Sequence, residues 1–146
     1  MYPVEVRKVT AALGGRRAIG CSPHTVVELA IAIAKGLPKA VVPELVARAA
    51  PEEGQARRRI AALVTSAASL KRRERLTPAA GERAERLARI VALAQQALPG
   101  ADEARSWLNA PHPLLGGARP IEIAATDVGA RQVERILHNI EHDLPV

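Results

Sequence analysis

The chain of 146 residues is 48% hydrophobic but only 1% aromatic and lacks phenylalanine, so its core must consist of Leu, Ile, Val and Ala. This composition excludes a disordered chain and favours packed helices over a β-sandwich. The single Cys21 excludes an intramolecular disulfide, and the longest apolar run contains Glu28 and is too short to span a bilayer. Because no secretory leader is recognisable, we expect a cytoplasmic protein.

Charge is distributed unevenly along the chain. Residues 1–76 carry 14 Lys and Arg against 6 Asp and Glu, a net of +8. Residues 77–146 carry 7 against 9, a net of −2. An excess of positive charge favours a polyanionic partner, so only the first half is predicted to bind nucleic acid.

The first predicted helix follows a segment without clear periodicity. We expect residues 1–21 to be a loosely held, flexible lead segment. Ser22-Pro23 then gives a helix cap followed by proline at the first helical position, and Gly36 gives a stop signal. Between these signals, the inward face is predicted to consist of Val26, Leu29 and Ile33.

The next three predicted helices include a helix-turn-helix. A second helix is predicted over 42–49, and a third over 52–64. Thr65-Ser66 is a short turn with a helix cap, and 67–75 is predicted as a short, strongly basic helix. Two short helices joined by a brief turn, the second of them basic, are typical of helix-turn-helix proteins.

The basic helix supplies the candidate DNA-binding residues. Small side chains at its start would let it approach base edges, and the cations that follow would neutralise phosphates. The alternative is a solvated basic helix face without a partner. The candidate residues are Ser66, Ala68, Ser69, Lys71, Arg72, Arg73 and Arg75.

The second half is also predicted to be helical. The longest predicted helix spans 77–98 and begins at the cap Thr77-Pro78, and the next is capped by Asp102. Apolar residues three and four apart predict a last helix near 130–144. In the helix 77–98 the predicted inward positions are Ala84, Leu87, Val91, Ala94 and Leu98. In the last helix they are Ala130, Val133, Leu137, Ile140 and Leu144.

Trp107 is the only tryptophan and is expected to occupy an apolar socket with a partner for its ring N–H. The segment 114–117 is predicted to be a turn because it combines leucines with two glycines. Pro120 is predicted to start a short helix, since an isolated strand over 121–123 would have no pairing partner. The fold class predicted for the whole chain is therefore all-α.

Enzymatic interpretations are weak. His138 and Glu141-His142 fit the HxxEH pattern of one zinc-peptidase group, but a third protein ligand is expected well downstream and few residues remain. Cys21 and His24 lack a partner that would suggest a nucleophile. We therefore predict no catalysis, no metal and no cofactor.

Several residues in the second half of the chain resemble, in their order and spacing, the Xre/MbcA/ParS family of antitoxins. The similarity covers most of 28–142, and Gly-Leu-Pro at 36–38 and Ser-Leu-Lys-Arg-Arg at 69–73 resemble the Xre-like DNA-binding half of that family. Asp143 departs from the family, which usually continues with glycine after Glu-His, and the recognition-helix region is shorter than usual. The agreeing residues lie closest together between positions 107 and 120: Trp107, Leu108, Pro111, Leu115, Gly116, Gly117 and Pro120.

The resemblance implies an antitoxin of a type II toxin–antitoxin system. It would sterically neutralise a RES-domain toxin that consumes NAD, and as a homodimer within a larger complex it would repress its own operon by binding operator DNA. Its domains would be the lead segment 1–21, an Xre-like helix-turn-helix domain 22–76 and a toxin-binding domain 77–146. The residues that would face the toxin are Arg135, His138, Asn139, Glu141, His142, Asp143, Leu144 and Val146.

A stand-alone helix-turn-helix regulator without a toxin is the alternative. Rescue of cells from a toxin separates the two interpretations. Deletion of 135–146 is expected to abolish rescue and to leave DNA binding largely intact.

Overall fold

In the part of the chain that the structure describes, the longest helix lies at the centre of the packing, and six other helices pack against it. A computed structural model describes residues 1–52 and 54–146, and within them the fold is all-α, as predicted. Glu53, which the predicted third helix included, lies outside the described residues. The helices are α1 Val6–Ala12, α2 Gly15–Ile19, α3 Val26–Lys35, α4 Val41–Ala49, α5 Gly54–Val64, α6 Ala67–Arg72, α7 Pro78–Ala97, α8 Ala101–Asn109, α9 Pro120–Ile123 and α10 Asp127–Glu141, with a 3-10 turn at Pro113–Leu115.

Small and large apolar residues alternate along α7, which lets neighbouring helices approach it from several sides. Thr77 caps the helix by accepting a hydrogen bond on Oγ1 from the Ala80 N–H at 3.2 Å, and Pro78 follows at the first turn. The helices packed on α7 are α1, α3, α4, α5, α8 and α10. Of the predicted inward residues, Ala84, Leu87, Val91 and Ala94 are fully buried, and Leu98 is half-buried.

The expectation of a loosely held segment over 1–21 is wrong. These residues form α1 and α2, and Val9 and Leu13 are fully buried in the core. Two long-range hydrogen bonds add to this packing: the Tyr2 phenol donates to Glu85 at 2.5 Å, and the Lys8 ammonium donates to Gln96 at 2.9 Å. The segment is therefore part of the core.

Some helix starts differ from the predicted caps. Thr25, rather than Ser22, caps α3 by accepting from the Glu28 N–H at 3.1 Å. Gly100 precedes α8, so Asp102 lies inside its first turn. Val26 was predicted to face inward but is 45% exposed: it is the first residue of α3, and the buried residues of this helix are Leu29 and Ile33.

Contacts cross the predicted boundary between residues 76 and 77. Asn109 of α8 donates from Nδ2 to the Ala49 carbonyl at the end of α4, at 2.7 Å. Arg59 of α5 pairs with Glu122 of α9 at 3.3 Å. The division into domains 22–76 and 77–146 stays a prediction, but the helices on either side of it pack against one another.

Within the described residues, no helix combines the length and the apolar character needed to cross a membrane.

Candidate functional site

The candidate DNA-binding residues lie on α6 and the segment after it. The Ser66 hydroxyl caps α6 by accepting from the Ser69 N–H at 3.1 Å. Helix α6 buries none of its residues, and Ala68, Lys71 and Arg72 are exposed. Its first turn therefore presents small side chains and its last turn presents cations, which is the arrangement that the sequence predicts.

The cations on α6 and just after it differ in their hydrogen bonds to the rest of the fold. Arg73 and Arg75 are both exposed, but Arg75 donates from Nη1 to the Gly36 carbonyl at 2.8 Å. Arg75 also forms an isolated antiparallel bridge with Pro38, so it ties the end of the basic segment to the α3–α4 connection. Because its guanidinium serves the fold, Arg75 is less available for phosphate contact than Arg72 or Arg73.

Helix α10 has one buried face and one exposed face. Thr126 caps it by accepting from the Gly129 N–H at 3.0 Å, and Ile136 and Leu137 are almost completely buried. Arg135, His138 and His142 are exposed. The rings of the two histidines are neighbours, with centroids 4.5 Å apart, as residues four apart on a helix should be.

Glu141 differs from the other candidates on this helix. Its Oε1 accepts a hydrogen bond from Gln96 Nε2 on α7 at 2.8 Å, and its side chain is half-buried. The carboxylate of Glu141 therefore contributes to the packing of α10 on α7. In the described part of the chain, no three His, Cys, Asp or Glu residues cluster as metal ligands would.

The tail after α10 folds back onto the helix. The Leu144 N–H donates to the Asn139 carbonyl at 2.8 Å, and Asn139 Nδ2 donates to the Pro145 carbonyl at 3.1 Å. Leu144 and Val146 are 47% and 56% exposed. This arrangement leaves a shallow groove lined by Leu114, Gln132, Arg135, Ile136, Asn139, Pro145 and Val146.

Four residues of the groove were not among those selected from the sequence: Leu114, Gln132, Ile136 and Pro145. Leu114 is 49% exposed and comes from the 3-10 turn, which is distant in sequence from α10. His112 holds that turn by accepting on Nδ1 from the Leu114 N–H at 3.2 Å. Only the folded chain brings Leu114 beside the tail, although a leucine in a glycine-rich turn was a signal that could have been followed.

Residues 93–142 match a family model described as the antitoxin Xre/MbcA/ParS C-terminal toxin-binding domain. This segment is therefore similar to the toxin-binding domain of the Xre/MbcA/ParS antitoxins. The match confirms the resemblance seen in the sequence, and it contains the 3-10 turn and α10. Residues 1–92 and the tail after His142 lie outside it. A comparison with curated proteins finds no match.

Asp143, where the sequence analysis expected glycine from the family resemblance, has an unusual backbone conformation. Asp143 has φ +52°, the left-handed region that follows many helix ends and that glycine adopts most easily. Aspartate tolerates this region better than most residues with a side chain. Asp143 therefore occupies a position after the helix end whose backbone conformation glycine would adopt without strain.

Trp107 is half-buried rather than enclosed. Its ring meets the His112 ring edge to face, with centroids 5.6 Å apart. Among the described residues the indole N–H makes no hydrogen bond, so the predicted partner is not observed. Gly116 and Gly117 have φ of +64° and +82°, which explains why glycine occupies these two positions of the turn.

Proposed function

We propose that this protein is the antitoxin of a type II toxin–antitoxin module of the cytoplasm and neutralises a RES-domain, NAD-consuming toxin by steric block. The observation that carries the proposal is the exposed surface of α10 and its tail, most of which lies within the segment matched to a toxin-binding domain. A toxin partner is favoured over a stand-alone regulator because such a regulator has no use for that domain.

The contact surface we assign combines apolar and polar groups. Leu114, Leu144 and Val146 provide exposed apolar area around the groove, and Arg135 and His138 provide charge and hydrogen-bond donors beside it. An apolar centre with a polar rim is the usual anatomy of a protein interface. Neutralisation would then need no chemistry by the antitoxin, only occupation of the path to the toxin's substrate cleft.

Deletion of 135–146 is too coarse a test because it removes buried Ile136 and Leu137. Deletion of 143–146 removes exposed residues only. We expect it, and the charge reversal Arg135→Glu, to abolish growth rescue in cells that co-express the cognate toxin. Arg58→Glu, an equal reversal at an exposed position on α5, is the matched control and should rescue normally. Full rescue by both the deletion and Arg135→Glu would remove this surface from the mechanism.

We further propose that α6 binds operator DNA, so that a homodimer within the toxin–antitoxin complex represses the operon. The exposed cations of α6 support phosphate contact. Neutralising one cation that contacts a phosphate should reduce the slope of log affinity against log salt by about one. Lys71→Gln, Arg72→Gln and Arg73→Gln should each do so when operator binding is measured by fluorescence anisotropy.

Arg131→Gln removes an exposed cation from α10 and is the control for these measurements. It should leave the salt slope unchanged. Arg75→Gln should chiefly lower the melting temperature, because it removes the hydrogen bond to the Gly36 carbonyl. An affinity that falls without any change of salt slope in the Lys71, Arg72 and Arg73 variants would contradict phosphate contact.

A further inference from the structure

Helix α3 carries an apolar face that nothing in the described chain covers. Val27 is 67% exposed and Ile31 is 50% exposed, and Ala30 and Ala34 beside them are exposed as well. These four positions lie on one side of a helix, because residues three, four and seven apart share a face. Leu29, on the opposite side, is buried against the core. The α3 stripe, Val27, Ala30, Ile31 and Ala34, is therefore not part of the core.

We infer that the α3 stripe pairs antiparallel with the same stripe of a second copy of this chain, about a twofold axis that passes between Ala30 and Ile31. The inference names the surface of the homodimer proposed above, and it needs neither toxin nor DNA. In this register Val27 lies opposite the partner's Ala34, and Ala30 lies opposite the partner's Ile31. Each contact therefore pairs a large with a small side chain, as interdigitating helices require.

The charges beside the α3 stripe are self-complementary in the same register. Glu28 and Lys35 both lie along one edge of the stripe, one helix repeat of seven residues apart. A twofold axis brings like edges together, so Glu28 approaches the partner's Lys35, and the pair occurs twice. Helix side chains lean towards the N-terminus, which tilts these two groups towards each other across an antiparallel pair.

The other partners proposed for this protein fit the stripe poorly. DNA requires cations, and the α3 stripe is apolar. The toxin-binding match begins at residue 93, far along the chain from α3. A shallow groove between the Cys21–Pro23 segment and α3, lined in part by Ile31 and Lys35, provides space for side chains of a partner helix.

A ten-residue helix is about 15 Å long, so this interface is smaller than the roughly 800 Å² per partner of stable complexes. The dimer should therefore dissociate on dilution. Sedimentation velocity over a concentration series should show this for the wild-type chain. Ile31→Lys should weaken the dimer at least about tenfold, since it places a charge at the centre of an apolar contact. Val128→Lys, at an 80% exposed position of α10, is the matched control and should dimerise normally.

Charge reversal tests the register. Glu28→Lys alone places like charges opposite each other twice, as does Lys35→Glu alone, so each variant should be mainly monomeric. A mixture of the two should form heterodimers, because both pairs are then of opposite sign. Circular dichroism checks that each variant remains helical.

A wild-type chain that stays monomeric at high concentration would overturn the inference, as would a dimer that Ile31→Lys leaves intact. A mixture that stays monomeric would overturn the antiparallel register. None of these outcomes concerns the toxin, because rescue in the co-expression assay is scored separately for each variant. If Arg135→Glu abolishes rescue but still dimerises normally, the toxin-binding surface and the dimer surface are separate.

Discussion

Arg89 of α7 donates a hydrogen bond from Nε to Oε1 of Glu134 on α10 at 2.7 Å. The same guanidinium donates from Nη1 to Glu85, at 3.1 Å to each carboxylate oxygen. Burial opposes the charged form, but Glu85 and Glu134 outweigh it and raise the pKa of Arg89 above its ordinary value. This ion pair therefore fixes the helix that carries most of the proposed toxin-binding surface to the central helix.

Replacing Arg89 should destabilise the protein substantially. The side chains of Arg89 and Glu134 are only 17% and 21% exposed, so Arg89→Met leaves two carboxylates partly buried without their cation. We expect a loss of about 1–3 kcal/mol in the free energy of unfolding, measured by urea denaturation. Arg131→Met, which breaks an exposed pair with Asp127, should change it by less than about 0.5 kcal/mol. Equal losses in both variants would contradict the structural role of Arg89.

Tyr2 should make the stability depend on pH in the alkaline range. Burial raises the pKa of the Tyr2 phenol, and the adjacent Glu85 carboxylate raises it further. A raised pKa in the folded state means that the neutral phenol stabilises the fold below pH about 10, the ordinary tyrosine pKa. This contribution is lost as the pH rises through the folded pKa, so the free energy of unfolding should fall above pH about 10.

The measurement is direct because Tyr2 is the only tyrosine of the chain. Phenolate absorbance should appear near pH 10 in urea-unfolded protein and at higher pH in folded protein. Tyr2→Phe should lose this part of the pH dependence, although other groups still titrate. A phenolate signal at the same pH in both states would show that Tyr2 is not held against Glu85 in solution.

Gly129 should tolerate alanine poorly although it lies in a helix. A Cβ at this position of α10 would collide with the Ile123 carbonyl oxygen at the end of α9. Alanine normally stabilises a helix by about 0.5–1 kcal/mol relative to glycine. We expect Gly129→Ala to reverse that sign and to lower the melting temperature, because the backbone of α9 must move.

Gly54→Ala is the control for this sign reversal. A Cβ at Gly54 of α5 would meet nothing within 4 Å. Its melting temperature should stay unchanged or rise slightly. If Gly129→Ala stabilises the protein as much as Gly54→Ala does, the close approach of α9 and α10 is absent in solution.

The parts of the fold that the sequence predicted share a local physical signal. Helix α7 has a threonine cap, a proline in its first turn and a long apolar repeat, and each of these acts over a few residues. Helices α1 and α2 have only seven and five residues, too few for a period to emerge. Their order comes from packing on α7, which a local pattern does not contain.

The candidate sites show the same limit. The exposed cations of α6 were predicted because charge is visible in the sequence. The anchoring of Arg75 by the Gly36 carbonyl and the position of Leu114 beside the tail depend on contacts between distant segments. The exposed face of α3 was missed for a related reason, since helical spacing placed Val26 inward and only the packing shows which apolar residues remain uncovered.

Asn109→Asp should weaken the connection between α8 and α4. Asn109 donates from Nδ2 to the carbonyls of Ala49 and Arg105, at 2.7 and 2.8 Å. Aspartate at this position has no N–H to donate when ionised and faces two carbonyl oxygens, so we expect a loss of about 1–3 kcal/mol at neutral pH.

Repulsion by the two carbonyls raises the pKa of this aspartate in the folded state, and protonation restores one donor. The deficit of Asn109→Asp relative to the wild type should therefore shrink as the pH falls towards about 4, the ordinary aspartate pKa, and change little below it. Asn139→Asp is the matched control, because its amide also donates to a carbonyl but in the exposed tail. It should cost less and should leave urea denaturation nearly unchanged. A deficit for Asn109→Asp that is independent of pH would mean that repulsion between the carboxylate and the two carbonyls is not its cause.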